Sequence, residues 1–258
     1  MKKLIGFFVV VAWLLGCSQE PSPQTNTDTG PKIKSIHENG KLQMLFLYNT
    51  LDQVVEIQKY FDDGQNVWES WRYSYQSDRV VKQEYWSSHP LYLSSWPKAG
   101  KPLLLQSTTA YEYTSNQSYP TKILSYSSTK PNEVSSYQLN SHDASGKLVK
   151  SETFTGDGKK LGEMFYQYDQ RGNLLQWGSS YWEYDTQPSP LSKLKVPYWN
   201  ISWPSPNNAT SNFGLDANGN KANEWRYEYT YDPVSGFPLT YKIFVQNTFR
   251  AEGRYEYN

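Results

Sequence analysis

Apolar and polar residues alternate along this chain with a period of two, and in run after run the apolar partner is aromatic. Trp225, Tyr227, Tyr229 and Tyr231 share one face of an extended segment, with Arg226, Glu228 and Thr230 on the other, which is the pattern of a half-buried strand. Glu69, Trp71, Tyr73 and Tyr75 share a face in the same way, as do Met164, Tyr166 and Tyr168, then Trp182 with Tyr184, and Tyr255 with Tyr257. Beyond the first sixteen residues no window sustains a helical period. The 22 tyrosines, 10 tryptophans and 10 phenylalanines make up 16% of the chain. Placed this way, they commit it to burying one face of a sheet.

Turn chemistry separates the runs. Asn39-Gly40, Asp63-Gly64, Ser145-Gly146, Asp157-Gly158, Arg171-Gly172, Asn218-Gly219 and Ser235-Gly236 each bring a glycine, which supplies the positive φ of a tight hairpin turn, and Asn or Asp before it tolerates the same region. Weaker turns at Leu51-Asp52 and Ser77-Asp78 complete a rhythm of one turn about every twelve residues, that of an antiparallel up-and-down meander. The prediction is an all-β fold of about a dozen strands, more than an open twisted sheet carries before it curls or closes. A large curled or partly closed sheet follows.

Two Pro/Trp-rich segments interrupt the rhythm. Residues 87 to 102 contain His89, Pro90, Leu91, Tyr92, Trp96 and Pro97; residues 186 to 222 contain Pro188, Pro190, Leu191, Pro197, Tyr198, Trp199, Trp203, Pro204 and Pro206. Proline removes a ladder donor, so these are loops laid against the sheet or folded over an end of it. Each follows an aromatic strand end and begins with a Pro-Leu pair, a hint of internal duplication. Long aromatic loops on a rigid scaffold are a common place for binding, which makes Trp96, Tyr198, Trp199 and Trp203 the candidate ligand contacts. The competing reading is a plug in the open end of the sheet, which buries apolar area whatever the ligand. Trp68, Trp71, Trp177, Trp182 and Trp225 carry the same choice, cross-strand packing against an exposed binding row.

Signals for chemistry are sparse. The sequence has no HExxH, Gly-x-Ser-x-Gly, P-loop or dinucleotide glycine pattern. His37 and His142 fall beside turn signals, where a solvated loop residue is expected. Glu69, Glu84, Glu112, Glu163, Glu183, Glu228 and Glu256 alternate with aromatics as a solvent face would, and only a facing pair would make a glycoside hydrolase. Asp143, Asp157, Asp169 and Asp216 sit in turns, where an aspartate needs no calcium to be useful.

The first residues have the form of a secretory signal: Lys2 and Lys3, then an apolar run from Leu4 to Leu15, too short for the roughly twenty residues of a spanning helix. The only cysteine of the chain closes it, and Leu14-Leu15-Gly16-Cys17 resembles the lipobox of bacterial lipoproteins. That resemblance implies cleavage before Cys17, a diacylglyceryl thioether on its sulfur, and attachment to a membrane through that lipid; Ser18 after it is compatible with sorting to an outer membrane. Residues 1–16 are then a signal peptide, residues 17–31 a flexible tether poor in apolar residues, and residues 32–258 the β domain. Loss of Lys2 and Lys3 leaves 23 basic against 25 acidic residues, a charge of about −2, which argues against nucleic acid as a partner. Acylation of Cys17 leaves no thiol for a disulfide or a thiolate metal site.

Within the β region, Tyr166-Gln167-Tyr168-Asp169-Gln170-Arg171-Gly172-Asn173-Leu174-Leu175 and the following Tyr184-Asp185 resemble the YD repeat of Rhs-type wall and toxin-shell proteins. Tyr231-Asp232 with Gly236 and Leu239, and His142-Asp143 with Gly146 and Leu148, are similar copies. Together with the lipobox they resemble envelope lipoproteins of Bacteroidetes-type bacteria. The resemblance implies a fold and a location more than an activity. The leading expectation is a non-catalytic envelope lipoprotein that binds a glycan or a protein partner, without cofactor or metal. The alternatives are a purely structural envelope component and a glycoside hydrolase.

Overall fold

The computed structural model describes residues 30–89, 99–114, 119–194, 196 and 205–258. Sixteen strands follow one another as eight antiparallel hairpins: β1 (Ile33–Glu38) with β2 (Lys41–Tyr48), β3 (Val54–Tyr60) with β4 (Val67–Gln76), β5 (Arg79–Ser87) with β6 (Leu104–Glu112), and β7 (Lys122–Ser127) with β8 (Lys130–His142). The second half continues with β9 (Leu148–Thr155) and β10 (Lys160–Tyr168), β11 (Leu174–Trp177) and β12 (Ser180–Pro188), β13 (Asn207–Leu215) and β14 (Lys221–Tyr231), β15 (Pro238–Val245) and β16 (Thr248–Tyr257). Among the described residues a single 3-10 turn, Pro190–Leu194, interrupts them. Every strand pairs with its neighbours in sequence, and β16 returns to β1 through pairs such as Ile33 with Tyr257 and Glu38 with Gly253. The sheet is therefore a closed up-and-down barrel, which leaves no free edge.

The sheet closes fully, and it has four strands more than the turn signals allow. The connections that sequence reasoning passed over are residues 113–121, Ser128-Thr129, Gly178-Ser179 and Gln246-Asn247. Gln246 and Asn247 both adopt positive φ (49° and 65°), so this turn has the backbone of a glycine turn without a glycine to mark it. Ser128-Thr129 carries no glycine either. Gly178 was hidden because β11 is only four residues long, too short to show an alternation on each side.

The aromatic face turns inward, except at Trp225, which starts its run but is 45% exposed. Ile33, Phe46, Val54, Ile57, Trp71, Tyr73, Val80 and Tyr111 form one buried cluster inside β1 to β6, and Leu148, Tyr166 and Leu174 form a second under β9 to β11. Leu194, from the second Pro-rich segment, is buried in the first cluster, with Leu191 and Val196 packed against it. The described part of that segment is thus a plug inside the barrel. Its stems are pegged by polar contacts: Ser205 Oγ accepts from Leu174 N–H at 3.1 Å and donates to Tyr184 Oη at 2.9 Å, and Asn173, which is fully buried, bonds Asn207 through both ends of its amide. The two inserts join β5 to β6 and β12 to β13. These connections lie at opposite rims of an up-and-down barrel, so the shared Pro-Leu start does not mark a structural duplicate.

The outward face carries ion pairs. Glu56 meets Arg72 at 3.4 Å, Lys150 and Lys160 interleave with Glu152 and Glu163 at 2.6–3.2 Å, and Lys221 bridges Glu183 and Glu224 at 2.7 and 3.2 Å. Such exposed pairs stabilise little individually, but they decide which solvent suits the surface. A barrel spanning a membrane shows an apolar band outward and a polar lumen; here the ion pairs lie outward among exposed apolar residues such as Phe165, Trp177, Trp225 and Phe249, while the buried apolar clusters lie inward. No described helix is long and apolar enough to cross a membrane.

One repeated contact explains the tyrosines at strand ends. In seven of the eight hairpins a tyrosine in the second strand, or one residue past it, donates its hydroxyl to a backbone carbonyl near the start of the first. The pairs are Tyr48 to Ile33, Tyr75 to Val54, Tyr113 to Val80, Tyr168 to Leu148, Tyr184 to Leu174, Tyr229 to Ala209 and Tyr257 to Pro238, all at 2.7–2.9 Å. A buried phenol needs such a partner. The Asx residue beyond the strand then caps the turn. Asn49 Oδ1 accepts from Leu51 and Gln53 N–H, and Asp232 Oδ1 from Val234 and Ser235 N–H. Backbone N–H bonds from Asn66, Asn220 and Ser235 hold the carboxyls of Asp63, Asp216 and Asp232 below their usual range.

The exception is the hairpin of β7 and β8, where His142 ends the strand and Asn140 Nδ2 takes the Pro120 carbonyl instead, at 3.0 Å. His142 is not a solvated turn residue: its ring stacks on Tyr119 and its Nε2 is buried without a partner. Burial lowers its pKa from the ordinary 6.5. The native state therefore resists protonation while the unfolded chain accepts it, so stability falls as pH drops below about 6.5. His142→Tyr should restore the eighth latch, raise stability by about 1 kcal/mol and flatten the slope of stability between neutral pH and pH 5. Urea melts at both pH values check this; an unchanged slope would refute it.

Candidate functional site

Trp96, Tyr198, Trp199 and Trp203, the loop aromatics expected to meet a ligand, lie outside the described residues, as does Cys17. What the described residues form instead is a cavity of ≈ 450 Å³ inside the barrel, a size that suits a small organic ligand. Its wall runs from β12 through β16 to β1, β2 and β3, with Trp182, Tyr227, Tyr229, Tyr241 and Tyr255 as the aromatic surface and Ile36, Met44 and Ile243 between them. Ser189, Pro190, Leu191 and Ser205 of the plug supply its end.

The register places these groups. Tyr229 lies opposite Tyr241, Tyr241 opposite Gly253, and Gly253 opposite Glu38, a single row across β14, β15, β16 and β1. Because Gly253 has no side chain, the Tyr241 ring lies flat across β16; a Cβ there would sit 2.3 Å from the ring carbon that bears the hydroxyl. The hydroxyl of Tyr241 thereby reaches Glu38 Oε2 at 3.4 Å and the His37 carbonyl at 3.5 Å. Tyr241 and Tyr255 pack with ring centres 5.4 Å apart. Burial first, then the Glu38 charge, raises the phenol pKa of Tyr227 and Tyr241, while burial and Tyr227 raise that of Tyr255. All three remain protonated donors at any physiological pH.

Among the described residues two charged side chains line the cavity, Glu38 and Lys59. Lys59 is already engaged: its Nζ lies 3.6 Å from Glu69 and 4.7 Å from the Trp68 ring centre. Glu69 also accepts from Tyr85 at 2.6 Å and is only 8% exposed. It therefore belongs to the lumen, on the face it shares with Trp71, Tyr73 and Tyr75, and not to the solvent face assigned to the glutamates as a group. The remaining carboxylates considered for hydrolysis, Glu84, Glu112, Glu163, Glu183, Glu228 and Glu256, each meet a Lys or Arg on the outer face.

His37 is likewise not a solvated loop residue. On β1 it joins Ser35, Glu256 and Arg254 on the outer surface. Ser35 Oγ and Glu256 Oε1 both meet its Nε2, at 3.1 and 3.3 Å, while Nδ1 faces Arg254 at 3.5 Å. A serine–histidine–carboxylate relay needs its carboxylate on the nitrogen opposite the nucleophile. Here both occupy the same side, and Ser35 is 2% exposed.

The fold and the cavity together define a closed antiparallel barrel whose lumen is aromatic and partly plugged. No protein-family model and no curated protein matches the sequence. Among solved structures the chain is similar to a porin-like protein from Bacteroides uniformis ATCC 8492, at 12% identity and a TM-score of 0.51, over 87% of this chain and 96% of the other. A porin-like protein from Bacteroides vulgatus ATCC 8482 matches at 9% identity and a TM-score of 0.40, covering 88% and 99%. A Photorhabdus luminescens Tc holotoxin pore matches at 11% identity and a TM-score of 0.27, covering 82% of this chain and 13% of that one. The first likeness is one of fold; the other two are too distant to carry an argument.

Proposed function

We propose that this protein is a non-catalytic binding module of the bacterial envelope, held to an outer membrane through lipid on Cys17, which takes a glycan into the barrel lumen. The observation that carries the reading is the cavity itself: Trp182 and five tyrosines line it and offer rings for stacking on sugars, and phenol hydroxyls and asparagine side chains stand beside them for sugar hydroxyls. The charged outer face supports an anchored barrel standing in water over one inserted in lipid. It separates this proposal from the pore that a likeness to porin-like proteins would otherwise suggest.

The test is tryptophan fluorescence of the full chain in a polyoxyethylene detergent, titrated with a panel of envelope and dietary polysaccharides. One or more glycans should protect tryptophan from acrylamide. Trp182→Ala should weaken that glycan at least tenfold, about 1.4 kcal/mol. If no glycan in the panel changes the quenching, or if Trp182→Ala binds as tightly as the parent, the lumen is not a glycan site.

A further inference from the structure

Charge in the lumen is unbalanced at one point. Of the two charged side chains that the described residues place on the cavity wall, Lys59 has Glu69 as its counter-ion. Glu38 forms no ion pair among the described residues, not even with Lys41, its register partner across the β1–β2 turn; its hydrogen-bond donor is Tyr241, at 3.4 Å. His37 is its neighbour in sequence, but its side chain is directed to the opposite face, toward Glu256 and Arg254. Tyr229, Tyr241 and Glu38 stand in one row across adjacent strands, Tyr255 packs on Tyr241, and Tyr227 is next to Tyr229 with ring centres 6.5 Å apart.

A half-buried carboxylate bordered by electron-rich rings is poorly matched to a neutral or anionic group. It suits an ammonium, which the carboxylate attracts directly and the ring faces attract through their quadrupoles. We infer that the glycan bound in the lumen carries a free amino group, an unacetylated hexosamine, which sits against Glu38 with Tyr227, Tyr241 and Tyr255 around it. The inference rests on the glycan reading above and deepens it. The aromatic wall takes the sugar faces, and Glu38 selects among sugars of the same shape. Acetylation would remove the charge and add bulk at the same nitrogen, so Glu38 is the specificity-determining residue.

The experiment is calorimetric titration of the full-length protein with three β-1,4-linked tetramers: of glucosamine, of N-acetylglucosamine and of glucose. The glucosamine tetramer should bind at least tenfold more tightly than either of the others, and the difference should shrink as salt is raised. In Glu38→Gln, which keeps the shape of the side chain, the three affinities should converge. The comparison on the unaltered protein stands even if that variant folds poorly. Equal affinities for the three tetramers would overturn the role of Glu38 while leaving a glycan site in place. Binding of spermidine with no binding of any tetramer would overturn the hexosamine. Silence from all three tetramers and from the wider panel would remove the glycan reading and this inference together.

Discussion

Leu194→Asp should cost the barrel about 3–5 kcal/mol of stability, seen as a lowered urea midpoint. Leu194 is 7% exposed and packs among Ile33, Phe46, Ile57 and Trp71, residues of four different strands. Truncating a buried leucine costs about 2–5 kcal/mol, and a carboxylate with no partner at the same place adds to it. The size of the effect reports what the insert is. A barrel that is complete without its plug would lose less than about 1 kcal/mol, because the aspartate would leave the lumen with the segment that carries it. A large loss means that the segment is part of the core. A barrel of about sixteen strands leaves a water-filled channel unless something fills it, and large inward side chains together with the plug fill it in part here, leaving the cavity of ≈ 450 Å³.

Gly253→Ala should be the second severe substitution, at about 2–3 kcal/mol. Its φ does not require glycine; the space does. A Cβ would meet the His37 carbonyl oxygen at 2.3 Å as well as the Tyr241 ring, and the carbonyl belongs to the adjoining strand of the ladder and cannot swing aside. Relief requires Tyr241 to leave β16 or β1 to part from β16 at the seam that closes the barrel. The measurement is a pair: a urea melt, and binding of the glucosamine tetramer. Loss of stability together with loss of binding is expected, since Tyr241 would no longer stand beside Glu38. Unchanged stability would mean that the ring rests elsewhere, and the row from Tyr229 to Glu38 would then be wrong.

Much of the inner wall was legible as pattern before it was visible as structure. Trp71, Tyr73 and Tyr75 face the lumen as their spacing required, and so do Tyr227, Tyr229, Tyr166 and Tyr168. Tyr168 and Tyr184, each before an aspartate, were visible as well. That their hydroxyls reach back to the start of their own hairpins was not, because the distance across a hairpin depends on its register. Glu69, whose spacing put it on the face of Trp71 and Tyr73, was counted with the solvent-face glutamates for a related reason. A glutamate beside aromatics is a surface residue unless a lysine waits inside, and Lys59 lies ten residues away on another strand. Glu38 and Gly253 offered no signal, since their relation is a pairing between the first strand and the last.

What was determined locally is what depends on local chemistry: extended backbone from period two, hairpins from glycine and Asx residues that tolerate positive φ, and one aromatic face per strand. Closure of β16 on β1, the choice of the aromatic face as the inner one, the burial of Leu194 and the meeting of Tyr241 with Glu38 all join residues far apart in the chain. They arise when a sheet with one aromatic and one charged face closes so that the aromatic face leaves water, and no short window of sequence contains both sides of that contact.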